Sequence, residues 1–109
     1  MASDPAKTKM YYEPGRTMLN AINDLVEIQK ADVVYSAISL GKIYFRVEMY
    51  GFLWEYQFTV EDIDINRSRV TLEISGEAMN KTEKIYSQFA LLDSMLGNSK
   101  YRIGNFSEK

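Results

Sequence analysis

Apolar residues recur along the chain in two rhythms. Over residues 16–30 (RTMLNAINDLVEIQK), Met18, Ile22, Leu25 and Val26 fall three or four positions apart, with Leu19 beside them. Arg16, Asn23, Asp24, Glu27 and Lys30 take the other side. This spacing predicts a helix with one apolar stripe. From residue 43 the rhythm becomes two. Ile43, Phe45, Val47 and Met49 alternate with Tyr44, Arg46, Glu48 and Tyr50; after Gly51, the series Phe52, Trp54, Tyr56, Phe58 and Val60 alternates with Leu53, Glu55, Gln57 and Thr59. A strict period of two predicts a hairpin with one dry and one wet face. Residues 69–75 repeat the pattern with Val70, Leu72 and Ile74 inward.

The remaining segments read less sharply. Residues 7–12 (KTKMYY) suggest a short first strand, broken at Pro14-Gly15, and residues 33–40 (VVYSAISL) a second strand ending at a Gly41-Lys42 turn. Residues 61–68 (EDIDINRS) read as a polar loop. After Gly76, Asn80 followed by Glu83 has the spacing of a capping box, with an earlier helix start near Glu77 as the alternative. The helix then runs to Leu96 and stops at Gly97-Asn98. Its stripe is Ala78, Thr82, Ile85, Phe89, Leu92 and Leu96, reinforced by Met79, Tyr86 and Met95. Residues 1–6 are expected to be a disordered lead-in and 98–109 a mobile tail, with residues 7–97 forming one domain.

The expected order is therefore β-α-β-β-β-β-α. Consecutive strands with short turns form an antiparallel meander, here of four to five strands, and two one-sided helices belong on its single dry face. The expected class is α+β, a two-layer sandwich. This element order resembles the helix-grip, or TATA-binding-protein-like, topology, of which the START/Bet v 1-like superfamily is an elaborated version. The resemblance spans roughly residues 7–97 and lies in element order, without a diagnostic motif. It implies a curved sheet gripping the C-terminal helix, and often a cavity between the two. The chain lacks the extra strands and the longer first helical region of the larger START-like proteins.

Composition narrows the chemistry. The chain has 109 residues, a formal charge of −2, and neither cysteine nor histidine. Disulfides, thiolate catalysis and Cys-based metal sites are excluded, and the commonest general base and zinc ligand are missing. No Ser/His, Cys/His or phosphate-loop pattern occurs. The expectation is a non-catalytic protein without cofactor or metal. The segment from Asp62 to Glu73 places Asp62, Asp64, Asn66, Ser68 and Glu73 at calcium-loop ligand positions. Arg67 stands where that loop needs glycine, and strands flank it instead of helices. MASDPAKTK lacks an apolar signal core and no run reaches a membrane span, so a cytoplasmic protein is expected.

Seven of the eighteen residues 43–60 are aromatic. A platform for nucleic-acid bases would display them outward among basic residues. Here the parity turns Phe45, Phe52, Trp54, Tyr56 and Phe58 inward, and the outward set is mostly Arg, Glu, Gln and Thr. No nucleic-acid partner is expected. The inward set fits either a heavy core or a pocket. Trp54, Tyr56 and Tyr86 carry polar atoms for which the inner face offers few partners, Thr82 and Ser36 among them. The leading expectation is binding of a small hydrophobic ligand between the sheet and the C-terminal helix, lined by Phe45, Trp54, Tyr56, Tyr86 and Phe89. The alternative is a protein-interaction or homodimeric adaptor module with a solid core; Tyr44, Tyr50 and Leu53 on the wet face could seed its interface.

Overall fold

In the computed structural model, which describes residues 6–76 and 79–97, the chain forms β1 (Ala6–Tyr11), α1 (Gly15–Ile28), β2 (Asp32–Ala37), β3 (Lys42–Met49), β4 (Phe52–Asp64), β5 (Arg67–Ser75) and α2 (Lys81–Leu96). The strands make one five-stranded sheet in the order β1-β5-β4-β3-β2, antiparallel throughout. The α+β sandwich expected from the pattern is the observed architecture. The expected lead-in and tail lie outside the described residues, apart from Ala6, which opens β1. No described helix is long and apolar enough to cross a membrane.

Both helices cover the same face of the sheet. Met18, Ile22, Leu25 and Val26 of α1 and Ile85, Phe89, Leu92 and Leu96 of α2 are buried against Ile43, Phe45, Tyr56, Phe58, Val70, Leu72 and Ile74. Burial of this apolar face holds the layers together at roughly 1.5–3 kcal/mol per large side chain. α1 ends in a Schellman arrangement: Ala31 N–H donates to Val26 O and Lys30 N–H to Glu27 O, with Lys30 in the left-handed region at φ 56°. The β3–β4 turn is two residues long, Tyr50 and Gly51, both at positive φ (56° and 80°), as a type I′ turn requires.

The structure differs from the sequence expectation in several places. Residues 61–68 are not a loop: β4 runs to Asp64 and β5 starts at Arg67, leaving Ile65-Asn66 as the turn. The Asp64 carboxylate makes this possible by accepting from Asn66 N–H (2.9 Å) and Arg67 Nε (2.8 Å). Those donors, the Asn66 amide first, hold the Asp64 carboxyl below its usual range. The second strand stops at Ala37, and Ile38–Leu40 form one 3-10 turn closed at Gly41, φ 70°. The capping box is absent. Asn80 sits at φ 63° and its side chain makes no cap bond, because capping geometry needs an extended backbone there. The alternative start near Glu77 is also not taken up, since α2 begins at Lys81. Residues 77 and 78 lie outside the described residues.

Candidate functional site

The middle of the β3–β4 hairpin is a closed stack. Phe45 lies on Tyr56 (centroids 5.2 Å apart) and on Phe58 (6.0 Å), and Phe89 of α2 meets Phe58 edge-on at 6.2 Å. All four are buried. Of the expected ligand-lining residues, Phe45, Tyr56 and Phe89 are thus gathered in one place, and with Phe58 they fill the space between sheet and helix.

The polar atoms of this region find partners inside the protein. Gln88 of α2 is buried; its amide hydrogen-bonds the Tyr56 phenol and exchanges two bonds with Gln29 beyond α1 (2.9 and 2.7 Å). Burial pushes the Tyr56 hydroxyl up to about 12, and the bond from Gln88 works against that shift. Trp54 Nε1 donates to the carbonyl of Met79 at 2.9 Å. Sequence reasoning missed Gln88 because it looked for apolar residues along the stripe. The signal was present: Gln88 stands three after Ile85 and four before Leu92. Thr82, expected in that stripe, is exposed.

Tyr86 does not join the others. It is 55% exposed on the flank of α2, with the Lys7 ammonium 5.8 Å from its ring centre. The register explains the pairing: Lys7 and Lys9 of β1 lie opposite the inward Leu72 and Val70, so both lysines lean over α2. Lys9 reaches Asp93 at 2.5 Å, and Tyr11 donates to the same carboxylate at 2.8 Å.

The hairpin outruns the helices. Trp54 is buried, but Phe52, two residues nearer the turn on the same face, is 53% exposed and Tyr50 is 88% exposed. Met49 and Leu53 are exposed as well, so Phe52 and Met49 do not share the core that their parity suggested. Beside this tip the chain entering α2 forms the opposite wall of an open cleft of about 250 Å³, lined by Tyr50, Phe52, Trp54, Met79, Asn80 and Lys84. Phe52 and Trp54 meet at a tilt, 6.1 Å apart. The Lys84 ammonium lies 4.5 Å from the Trp54 ring centre and has no carboxylate partner among the described residues. An apolar wall with one cation at its edge suits an amphipathic guest.

At the other end of the sheet, Asp62 Oδ1 accepts from Gly15 N–H at 3.0 Å and so caps α1 from a distant strand. A Cβ on residue 15 would sit 2.3 Å from that oxygen, which is why glycine stands there. The acids of the calcium-like segment are therefore committed: Asp62 to the helix, Asp64 to the turn. Among the described residues no three acidic side chains converge as a metal cluster.

No family model matches the sequence, and no curated protein matches it. Solved structures do share the fold. The di-domain aromatase/cyclase BexL from the BE-7585A biosynthetic pathway aligns at a TM-score of 0.64 with 10% identity, over 91% of this chain and 48% of that one. The di-domain aromatase/cyclase StfQ from the steffimycin pathway gives 0.50 and 9%, over 90% and 45%. A START superfamily protein from Mycobacterium smegmatis gives 0.50 and 9%, over 89% and 93%. The chain spans about half the length of the two di-domain structures. Identities this low show the fold alone, yet they correct one expectation. Enzymes are among the proteins that share this fold, so a non-catalytic role does not follow from the missing His and Cys. The element order, the sheet order and these likenesses agree that the chain has a reduced helix-grip fold of the START/Bet v 1-like kind.

Proposed function

We propose that this protein binds a small amphipathic molecule in the cleft between the β3–β4 hairpin tip and the start of α2. The apolar body would lie on Trp54, Phe52 and Met79, and an anionic group would meet Lys84. Of the residues expected from the sequence, Trp54 carries over to this site. Phe45, Tyr56 and Phe89 would stay in the closed core beneath the middle of the hairpin, and Tyr86 would take no part. The START superfamily neighbour and the two aromatase/cyclases support a small-molecule role for the fold, and this reading is compatible with turnover of the bound molecule.

The observation that carries the reading is Tyr50. A bulky aromatic stands at a positive-φ turn position, almost fully exposed, where Asn or Gly would be favoured. Stability gives no reason for it, and residues held in such conformations gather at functional sites. A ligand covering the tip supplies a reason.

Trp54 is the sole tryptophan, so its fluorescence reports on the cleft alone. Titration with carboxylates from hexanoate to dodecanoate, and with an aromatic carboxylate series, is expected to give a saturable change. The matching neutral alcohols should bind about two- to fivefold more weakly, as loss of one partly exposed ion pair implies, and Lys84→Gln should erase that difference. Absence of saturable change across both series, or a response unaltered by Phe52→Ser, would overturn the reading.

A further inference from the structure

The sheet has two edges, and they are finished differently. On β1 the inward positions hold Lys7 and Lys9, drawn over Tyr86 and onto Asp93. Inward-pointing charges and lysines are a common defence against strand addition. β2 has no inward-pointing charge, and its protection is a bulge and its shortness. Val33, Val34 and Tyr35 are 48%, 48% and 47% exposed, and Ile38 and Leu40 beyond them are exposed too. From Val33 to Gly41 the chain carries no charge.

We infer that β2 is the seam at which two copies of this chain join, antiparallel, extending one sheet into the next. Three features favour a second copy over an unrelated strand. The first is parity. Self-pairing about the centre of the strand sets Asp32 opposite Ala37, Val33 opposite Ser36 and Val34 opposite Tyr35 of the other copy. Asp32 and Ala37 pair with the outward Arg46 and Lys42 of β3, while Val33 and Ser36 pair with the inward Phe45 and Ile43. Each opposed pair outside the central two therefore already lies on one face.

The second is charge. Lys42 is the β3 neighbour of Ala37, and it makes no ion pair among the described residues. In this register Asp32 of the second copy arrives on the far side of Ala37. Two strand spacings, about 9–10 Å, separate the Lys42 and Asp32 backbones. The methyl of Ala37 leaves that path open, and a lysine and an aspartate together span it. Asp32 is 68% exposed even with Arg46 beside it at 2.6 Å. The two-fold axis repeats the contact, so one symmetric seam forms two new ion pairs.

The third is the bulge between Val33 and Tyr35, where Val34 is the extra residue. A bulge bends the edge and sharpens its twist, which turns away a long flat strand. A second β2 is six residues long and carries the same twist.

Sedimentation of the full chain, from low micromolar to the highest soluble concentration, tests the seam. A species of twice the 12.6 kDa chain mass is expected. Val34→Lys should leave a monomer, with circular dichroism and melting confirming that it is folded. Lys42→Asp should weaken the dimer at least tenfold, and the exchange Asp32→Lys with Lys42→Asp should regain part of that loss. A monomer at every concentration overturns the inference. So does a dimer that survives both Val34→Lys and Lys42→Asp, which would place the contact elsewhere. A double exchange no tighter than Lys42→Asp overturns the register. None of these outcomes depends on a ligand at the hairpin tip, so the seam and the cleft fail or stand separately.

Discussion

The middle and the tip of the β3–β4 hairpin are written in the same alphabet, alternating aromatic and polar residues, yet they are different materials. At Phe45, Tyr56 and Phe58 the inner face is covered by α1 and α2, every ring is buried, and the Tyr56 hydroxyl and the Gln88 amide have partners in the chain. Six residues further along, at Phe52, the same face is open. What separates them is the reach of the helices. α2 begins at Lys81, and its first buried side chain is Ile85; beside Phe52 the helix offers the Lys84 side chain and no buried apolar one. One hairpin thus supplies both a core that resists change and a rim that can accept a guest.

Substitutions along the hairpin should separate the two. The largest effect is expected from Phe58→Ala, which empties the centre of the aromatic stack and should cost about 3–5 kcal/mol by urea denaturation. A loss under about 1 kcal/mol would mean that the middle is not a close-packed core. Gln88→Leu comes next. It strips the Tyr56 hydroxyl and the Gln29 amide of their buried partner and should cost about 1–3 kcal/mol. Combining it with Tyr56→Phe should recover part of that, because no phenol is then left unsatisfied.

Tyr50→Asn goes the other way. It relieves the left-handed strain of a bulky residue and should stabilise by about 1 kcal/mol, while weakening any ligand response of Trp54. A variant that loses stability would show that Tyr50 supports the tip rather than serving it. The effect that is smallest until the pH passes 10 is a pH dependence. Burial raises the Tyr56 hydroxyl to about 12 in the folded state, against an ordinary value of 10.0. The stabilisation this represents is complete below pH 10 and is lost as pH rises through about 12, since the unfolded chain gives up its proton first. Tyr11, pushed up by burial and by Asp93, adds to the same decline. The urea midpoint should therefore fall more gently above pH 10 in Tyr56→Phe than in the unaltered protein.

Much of this was legible in the residues. Alternation in β3, β4 and β5 gave the dry positions correctly along 43–47, 54–60 and 70–74, because a period of two has only one reading once a face is buried. Segment 61–68 misled because its charges resemble a loop, while its backbone continues the ladder and only Asp64 folds the turn. Tyr86 and Thr82 misled because a helical stripe is wide and the choice of its edge is made by what packs against it. The candidate site was legible only at Trp54. Its other walls, Met79, Asn80 and Lys84, come from a segment 25 and more residues away.

The sequence by itself determined the class, the element order and the face that each strand turns inward, since those follow from local periodicity. It also fixed what the chain has no atoms to do: no thiolate, no imidazole. Only the tertiary structure decided which inward aromatics are sealed and which stand open, because that depends on where α2 starts relative to a hairpin it meets in space. Only the sheet order decided that β1 and β2 are edges, and so turned Val33, Val34 and Tyr35 from a strand's worth of apolar residues into an exposed seam.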